Sequence, residues 1–392
     1  MADERPRPSP GQPTLLTPTP VTPTPLAPTL RTPTLRTPDQ LLGYVRADVR
    51  ALGGYTTGAQ GPGFTKLNTN ECAYPPSPRV QQALADIGDE ALRLYPDPVS
   101  RHLRDVAAGL YGVAPEQIIV GNGSDDCLTI LFRTFLSPGD SIACPWPSYG
   151  LYDTLAGIQG APIIHVDYRR TATRWDLPDR LESTGARTVV VANPNNPSST
   201  LTPAADLRRL ADALDGVLIV DEAYVDFALP DEPDASMLPH LAAHPNVIVL
   251  RTFSKSYSLA GARLGLLFAA APLVAQMNKV KDSYNVNVVS QALGAAALED
   301  RAHHAGVIAQ TLQERARLER ELATLGWTWP RAHGNFLLCE VGPRAPEILA
   351  ALHARKILVR HWDTPALRTC LRVTVGNPEQ NDALFAALRA IV

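Results

Sequence analysis

The sequence has almost no lysine. Lys and Arg together number 36, yet only Lys66, Lys255, Lys279, Lys281 and Lys356 are Lys, leaving 31 Arg. Arg keeps its proton at any useful pH, whereas Lys can become a neutral amine nucleophile. Chemistry that needs an amine therefore has five candidates. Cysteine is also scarce. The five thiols, Cys72, Cys127, Cys144, Cys339 and Cys370, are scattered and none forms a C-x-x-C pair, which argues against a disulfide framework and a structural zinc site. Long apolar runs are missing: nothing reaches the roughly 18 residues of a membrane-spanning helix, and the N-terminus has no apolar stretch of the secretory kind. Excess charge is missing as well, and a net charge of −3 leaves no footprint for nucleic acid. No Walker A motif and no complete dinucleotide fingerprint occurs.

What is present is length and apolar content. A chain of 392 residues, 45% hydrophobic and 19% charged, can bury a large core and predicts two domains. Together these features predict a soluble cytoplasmic α/β enzyme. Residues 1–38 stand apart: they hold eleven Pro and nine Thr without apolar periodicity, which predicts a disordered tail with polyproline II character. A helix and arm are expected over 39–63, the helix running from Asp39 to about residue 51, with an extended segment at 64–70. Short apolar runs at 117–120, 141–144, 162–166, 188–192, 217–220, 247–250 and 264–269 alternate with amphipathic stretches. That pattern predicts a large domain, 64–285, built on a mainly parallel sheet covered by helices on both faces. From 286 to 392 the pattern changes to a smaller α+β domain, with helices at 302–325, 345–354 and 378–391 and strands at 336–340, 357–359 and 371–375.

In an open parallel sheet, ligands bind outside the carboxyl ends of the strands, so the residues just after the apolar runs carry the information. After 117–120 come Gly123, Ser124 and Asp125 and a helix expected from Cys127. A Gly turn feeding a helix N-terminus suits an anion, although read alone it is equally a turn capped by Ser124 or Asp125. After 141–144 comes Tyr149, suited to lie on a planar ring or to pack in a core. After 188–192 comes Asn193-Pro194-Asn195-Asn196-Pro197, a rigid turn that can aim an amide at a ligand. The run 217–220 ends in Asp221, with Tyr224 three residues on, and a carboxylate there is costly unless paired with a cation. The run 247–250 ends in Arg251-Thr252-Phe253-Ser254-Lys255, with Arg263 eight residues beyond. No other Lys has hydroxyls and an Arg around it at a strand end.

These pieces explain one another if the ligand is pyridoxal 5′-phosphate. Lys255 supplies the amine for its aldehyde and Asp221 the acid partner of its ring nitrogen. Tyr224 and Asn196 can donate to its phenolic oxygen and Tyr149 can stack on its ring. Gly123, Ser124, Asp125, Thr252, Ser254 and Arg263 form its phosphate cradle.

At this point the chain resembles the fold-type I pyridoxal-phosphate aminotransferases and, within them, the histidinol-phosphate aminotransferase branch. The resemblance rests on Lys66-Leu67-Asn68-Thr69-Asn70-Glu71, Tyr95-Pro96-Asp97, the 123–125 turn, Tyr149-Gly150, 193–197, Asp221 to Tyr224, Thr252 to Lys255 with Arg263, and Leu371 to Gly376. It implies a homodimer with active sites at the subunit interface, where Tyr95 reaches the partner's cofactor phosphate. It assigns Tyr55, Arg360 and Arg372 to the anionic end of the substrate; from the residues, two Arg at adjacent strand ends suit an oxyanion. It implies ping-pong transamination of histidinol phosphate with 2-oxoglutarate, with Lys255, Asp221 and Tyr224 catalytic. The same frame serves aromatic amino acid aminotransferases and threonine-phosphate decarboxylases, and a non-catalytic cofactor-binding regulator would share its fold. The chain departs from the family pattern at Cys72-Ala73 and Ser198-Ser199, near the expected substrate mouth.

Overall fold

Short runs of Val, Ile and Leu dominate the middle of the chain, and β-branched side chains favour extended backbone. In the computed structural model, which describes residues 38–54 and 58–391, these runs form a seven-stranded sheet. A short strand β1 (Thr65–Lys66) precedes it. The sheet comprises β2 (Ile118–Gly121), β3 (Ile142–Trp146), β4 (Ile163–Asp167), β5 (Thr188–Ala192), β6 (Val217–Asp221), β7 (Val247–Thr252) and β8 (Gly265–Phe268), in the order β2-β8-β7-β6-β5-β3-β4. From β7 to β4 every pairing is parallel, and only β8 runs antiparallel to its neighbours. The Pro/Thr-rich segment through residue 37 and Tyr55 lie outside the described residues.

Alternate residues along the strands enter two separate cores. Val189, Val191, Leu218, Val220, Val247 and Val249 pack on one face, while Val190, Ile219, Ile248 and Leu250 pack on the other. Successive side chains on a strand point to opposite faces, so both faces of this sheet are covered, as an apolar parallel sheet requires. The helix Ser124–Phe135 covers the second face with Cys127, Leu128, Leu131 and Phe132.

The C-terminal elements form another core. Strand β9 (Phe336–Glu340) pairs antiparallel with β11 (Cys370–Thr374), and β1 pairs parallel with β10 (Ile357–Leu358). Leu67, Leu318, Leu337, Ile348, Leu371 and Leu384 meet there beneath the helices Arg301–Ala323, Ala345–Ala354 and Pro378–Arg389.

Two expectations are corrected. The single helix from Asp39 to residue 51 is two short ones, Pro38–Leu42 and Ala47–Ala51. Gly43 follows the first, and glycine costs about 1 kcal/mol in a helix interior. The first belongs to a unit ending at Arg46 and the second to the unit Ala47–Val392. The extended segment at 64–70 contains a strand of two residues only. Among the described residues no helix is long and apolar enough to cross a membrane.

Candidate active site

The parallel strands β5, β6 and β7 end at one edge of the sheet, and a cavity of about 530 Å³ opens there. Its lining includes Ser124, Asp125, Tyr149, Asn196, Asp221, Tyr224, Thr252, Ser254, Lys255, Arg263, Arg360 and Arg372. Ser124 and Lys255, about 130 positions apart, thus share one wall because strands of one parallel sheet deliver their ends to the same side. The reversed direction of β8 matters as well. Gly265 opens that strand opposite Gly121 and Thr252, so Arg263, two residues earlier, arrives at the same edge.

The anion turn is built for close approach. Gly123 has φ +91°, and a Cβ there would lie 2.5 Å from Arg263 Nη2; a Cβ on Gly265 would lie 2.6 Å from the Ser124 backbone nitrogen. The helix begins at Ser124, three residues earlier than expected, with Gly123 at its N-cap and no side-chain cap bond. The capped-turn reading therefore fails, and the helix N-terminus is left without a side-chain cap, an arrangement that favours an anion. Arg263 Nη2 donates to Asp125 Oδ2 at 3.1 Å, and the Tyr149 hydroxyl donates to Asp125 Oδ1 at 3.4 Å.

Asp221 lies at the cavity floor, only 6% exposed. Its Oδ2 accepts from the Tyr152 hydroxyl at 2.8 Å and its Oδ1 from the Ala223 N–H at 3.2 Å. Burial pushes its carboxyl up to about 6, against the pull of those two donors. The expected cation beside this strand-end carboxylate is instead next door. Glu222 takes it: Arg251 Nε donates to Glu222 Oε2 and Nη1 to Asp226 Oδ1, both at 2.8 Å, while Nη2 bonds Ser236. Burial disfavours the charge on Asp226, but His304 and Arg251 outweigh it and hold that carboxyl well below the usual range. This buried network fixes β6 against β7 directly behind the cavity.

Lys255 Nζ donates to the Thr69 carbonyl at 3.2 Å and lies 5.5 Å from the Tyr224 ring centroid. The Tyr224 hydroxyl accepts from Asn70 Nδ2 at 3.1 Å. Asn70, at φ +55°, is clamped in turn: Thr374 Oγ1 donates to its side chain, and Asn335 Nδ2 to its carbonyl.

On the opposite wall, Arg372 Nη1 donates to Asn196 Oδ1 at 2.6 Å and Nη2 to the Asn68 carbonyl at 2.7 Å. Arg372 lies within β11 rather than after a strand, and Arg360 pairs with it across an antiparallel bridge. Directly opposed residues in such a pair share one face. Both guanidinium carbons lie within 5.4 Å of the Trp362 ring centroid. Tyr95 lies elsewhere: it is 81% exposed and stacks on Tyr284 at 4.5 Å.

Tyr152, Trp362 and the Glu222–Arg251–Asp226 network carry no signal of a role in the sequence, and Asn68 and Asn70 stand out there only as part of a motif. Tyr149 precedes the helix Leu151–Gln159 that carries Tyr152, so no helical spacing in the sequence links the two.

Residues 62–388 match the family Aminotransferase class I and II. Histidinol-phosphate aminotransferase 1 of Trichormus variabilis is 41% identical over 353 residues, covering 89% of this chain and 99% of the relative. Histidinol-phosphate aminotransferase of Syntrophotalea carbinolica is 40% identical over 355 residues, covering 88% and 99%. The crystal structure of the Sinorhizobium meliloti histidinol-phosphate aminotransferase in complex with pyridoxal-5′-phosphate superposes with a TM-score of 0.81 at 25% identity, covering 89% of this chain and 98% of that one. On the family match and on identities above 30% over nearly the whole of these relatives, the chain belongs to the class I and II aminotransferases.

Proposed function

We propose that the protein is a pyridoxal-phosphate-dependent aminotransferase that moves the amino group of histidinol phosphate to 2-oxoglutarate, yielding imidazole acetol phosphate and glutamate. The observation that carries the substrate is the bridge setting Arg360 beside Arg372 in the cavity that also holds Lys255. Two guanidinium forks on one face can each take two oxygens, which suits a phosphate better than a carboxylate. The residues fit the cofactor as well. The Gly123 turn leaves an uncapped helix N-terminus beside Arg263 for the phosphate, with Ser124, Asp125, Thr252 and Ser254 around it. Asp221 would pair with the ring nitrogen, Tyr149 would stack on the ring, and Tyr224 and Asn196 would donate to the phenolic oxygen.

Bound pyridoxal phosphate supplies an aldehyde carbon and an electron-withdrawing ring. The chain supplies the rest. Lys255 Nζ moves the proton at the substrate α-carbon, Asn70 holds the Tyr224 hydroxyl, and Arg360 and Arg372 hold the anionic end. In the second half-reaction the same arginines take the carboxylate of 2-oxoglutarate. Tyr95 serves a second copy of the chain in a homodimer; support for this is its exposure together with Tyr284, two stacked rings that a partner surface would cover.

Glutamate formation from 2-oxoglutarate tests the substrate. The highest kcat/KM is expected for histidinol phosphate against histidine, phenylalanine and threonine phosphate; a higher value for phenylalanine overturns the reading. Charge-assisted bonds contribute about 1.5–3 kcal/mol each. Arg360→Ala should therefore raise KM for histidinol phosphate about ten- to a hundredfold. For phenylalanine, whose carboxylate Arg372 alone can hold, the rise should stay below about threefold. Equal rises on both substrates would remove Arg360 from a phosphate-specific role.

Asp221 also predicts a pH dependence. Its folded pKa, about 6, lies above its ordinary value of 3.8. Its contribution to stability is therefore fully present below pH 3.8 and is lost as pH rises through about 6. Cofactor binding requires the form that folding disfavours. Affinity of the cofactor-free protein for pyridoxal phosphate should fall as pH drops below about 6, and titrations across pH 5–8 measure it. The difference between wild type and Asp221→Asn isolates this term from titration of the cofactor's own phosphate; identical pH profiles would rule it out.

A further inference from the structure

Tyr152 stands outside the cavity lining yet touches two of its components. It lies on the helix Leu151–Gln159, is fully buried, and donates its hydroxyl to Asp221 Oδ2 at 2.8 Å. Its ring meets Tyr149 edge to face, with centroids 5.6 Å apart at 85°. We propose that Tyr152 is a positioning residue for the reaction: one side chain fixes both the carboxylate that faces the cofactor ring nitrogen and the aromatic ring that covers the cofactor. The inference rests on the pyridoxal-phosphate reading above.

Packing alone does not account for a tyrosine here. Phe would fill the same place, and a buried hydroxyl is costly unless bonded. The phenol is held well above its usual range, first by burial and then by the neighbouring Asp221 charge, so it keeps its proton and acts as the donor. A hydrogen bond given to the charged form of a carboxyl favours that form. Tyr152 and the Ala223 N–H occupy one lone-pair site on each oxygen of Asp221. They fix the plane of the carboxylate and oppose the burial that would protonate it. The edge-to-face contact with Tyr149 is a preferred aromatic geometry, so the same residue sets the tilt of the ring above.

The test is Tyr152→Phe in the cofactor-loaded enzyme, which keeps the ring and its volume and removes only the hydroxyl. We expect kcat to fall about tenfold to a hundredfold, KM for both substrates to stay within about threefold, and Tm to change by only a few degrees. With cofactor labelled with ¹⁵N in its ring, the nitrogen resonance should move toward that of neutral pyridine, a readout that a packing role would not shift. Placed on Asp221→Asn, the same substitution should cost less than about threefold more, because the carboxylate it serves is already gone. An unchanged nitrogen resonance, or a loss that simply adds to that of Asp221→Asn, overturns the proposal. The resonance needs no amino donor, so a protein that binds pyridoxal phosphate but ignores histidinol phosphate still decides the role of Tyr152. A protein that binds no pyridoxal phosphate overturns the functional reading and this inference together.

Discussion

Lys255→Ala should abolish measurable transamination, with kcat reduced at least about ten-thousandfold. The substitution removes a covalent anchor and a proton carrier at once, and a positioned acid–base group alone contributes roughly a hundredfold to ten-thousandfold. The other four lysines cannot take over, because each is held elsewhere. Lys66 pairs with Glu71 at 2.8 Å. Lys279 bonds Gln276, and Lys281 bonds the Pro98 carbonyl and Asn285. Lys356 lies over the Phe64 ring at 4.6 Å. Of the five, only Lys255 lines the cavity. Borohydride reduction of the cofactor-loaded wild type followed by peptide mapping should place the adduct on Lys255. An adduct on any other lysine, or turnover in Lys255→Ala within about a hundredfold of wild type, would sink the assignment.

The parts of the site carried by strand ends were legible in the sequence. Strand β5 was bounded to the residue, because four consecutive β-branched residues stand between Arg187 and an Asn-Pro turn. Lys255, Asp221 and Arg263 followed from topology, since parallel strands expose their carboxyl ends to ligands. What was hidden depends on contacts between distant segments. Asn70 meets Tyr224 across 154 positions, and Tyr152 meets Asp221 across 69; no local period encodes either bond. The rule that a strand-end carboxylate needs a cation was sound, but it pointed to the wrong neighbour. Asp221 and Glu222 are adjacent in the chain, and only the alternation of side chains on the strand decides which one meets Arg251. The helix at 124 was placed too late because Ser and Asp signal caps, whereas here Gly123 occupies that position and leaves the turn open.

Asp221→Asn should lower kcat about a thousandfold, ~4 kcal/mol in the barrier at ~1.4 kcal/mol per decade, while leaving the fold at least as stable. The two effects have opposite signs for one reason. The Asp221 carboxyl is buried without a cation, and its pKa of about 6 means that its charge costs stability above that pH. The amide removes that cost. It also loses one acceptor, but the Tyr152 hydroxyl can rotate to accept from the new NH₂ while the amide oxygen keeps the Ala223 N–H. Nothing in the packing then forces the protein apart. The negative charge opposite the ring nitrogen does disappear, and with it the stabilisation of a protonated pyridine as an electron sink. Steady-state kinetics and thermal unfolding of the cofactor-free protein at pH 8 read the two halves separately. Near-normal turnover would remove Asp221 from the site. A Tm several degrees lower would show that the carboxylate holds the fold, so that lost activity could no longer be credited to charge.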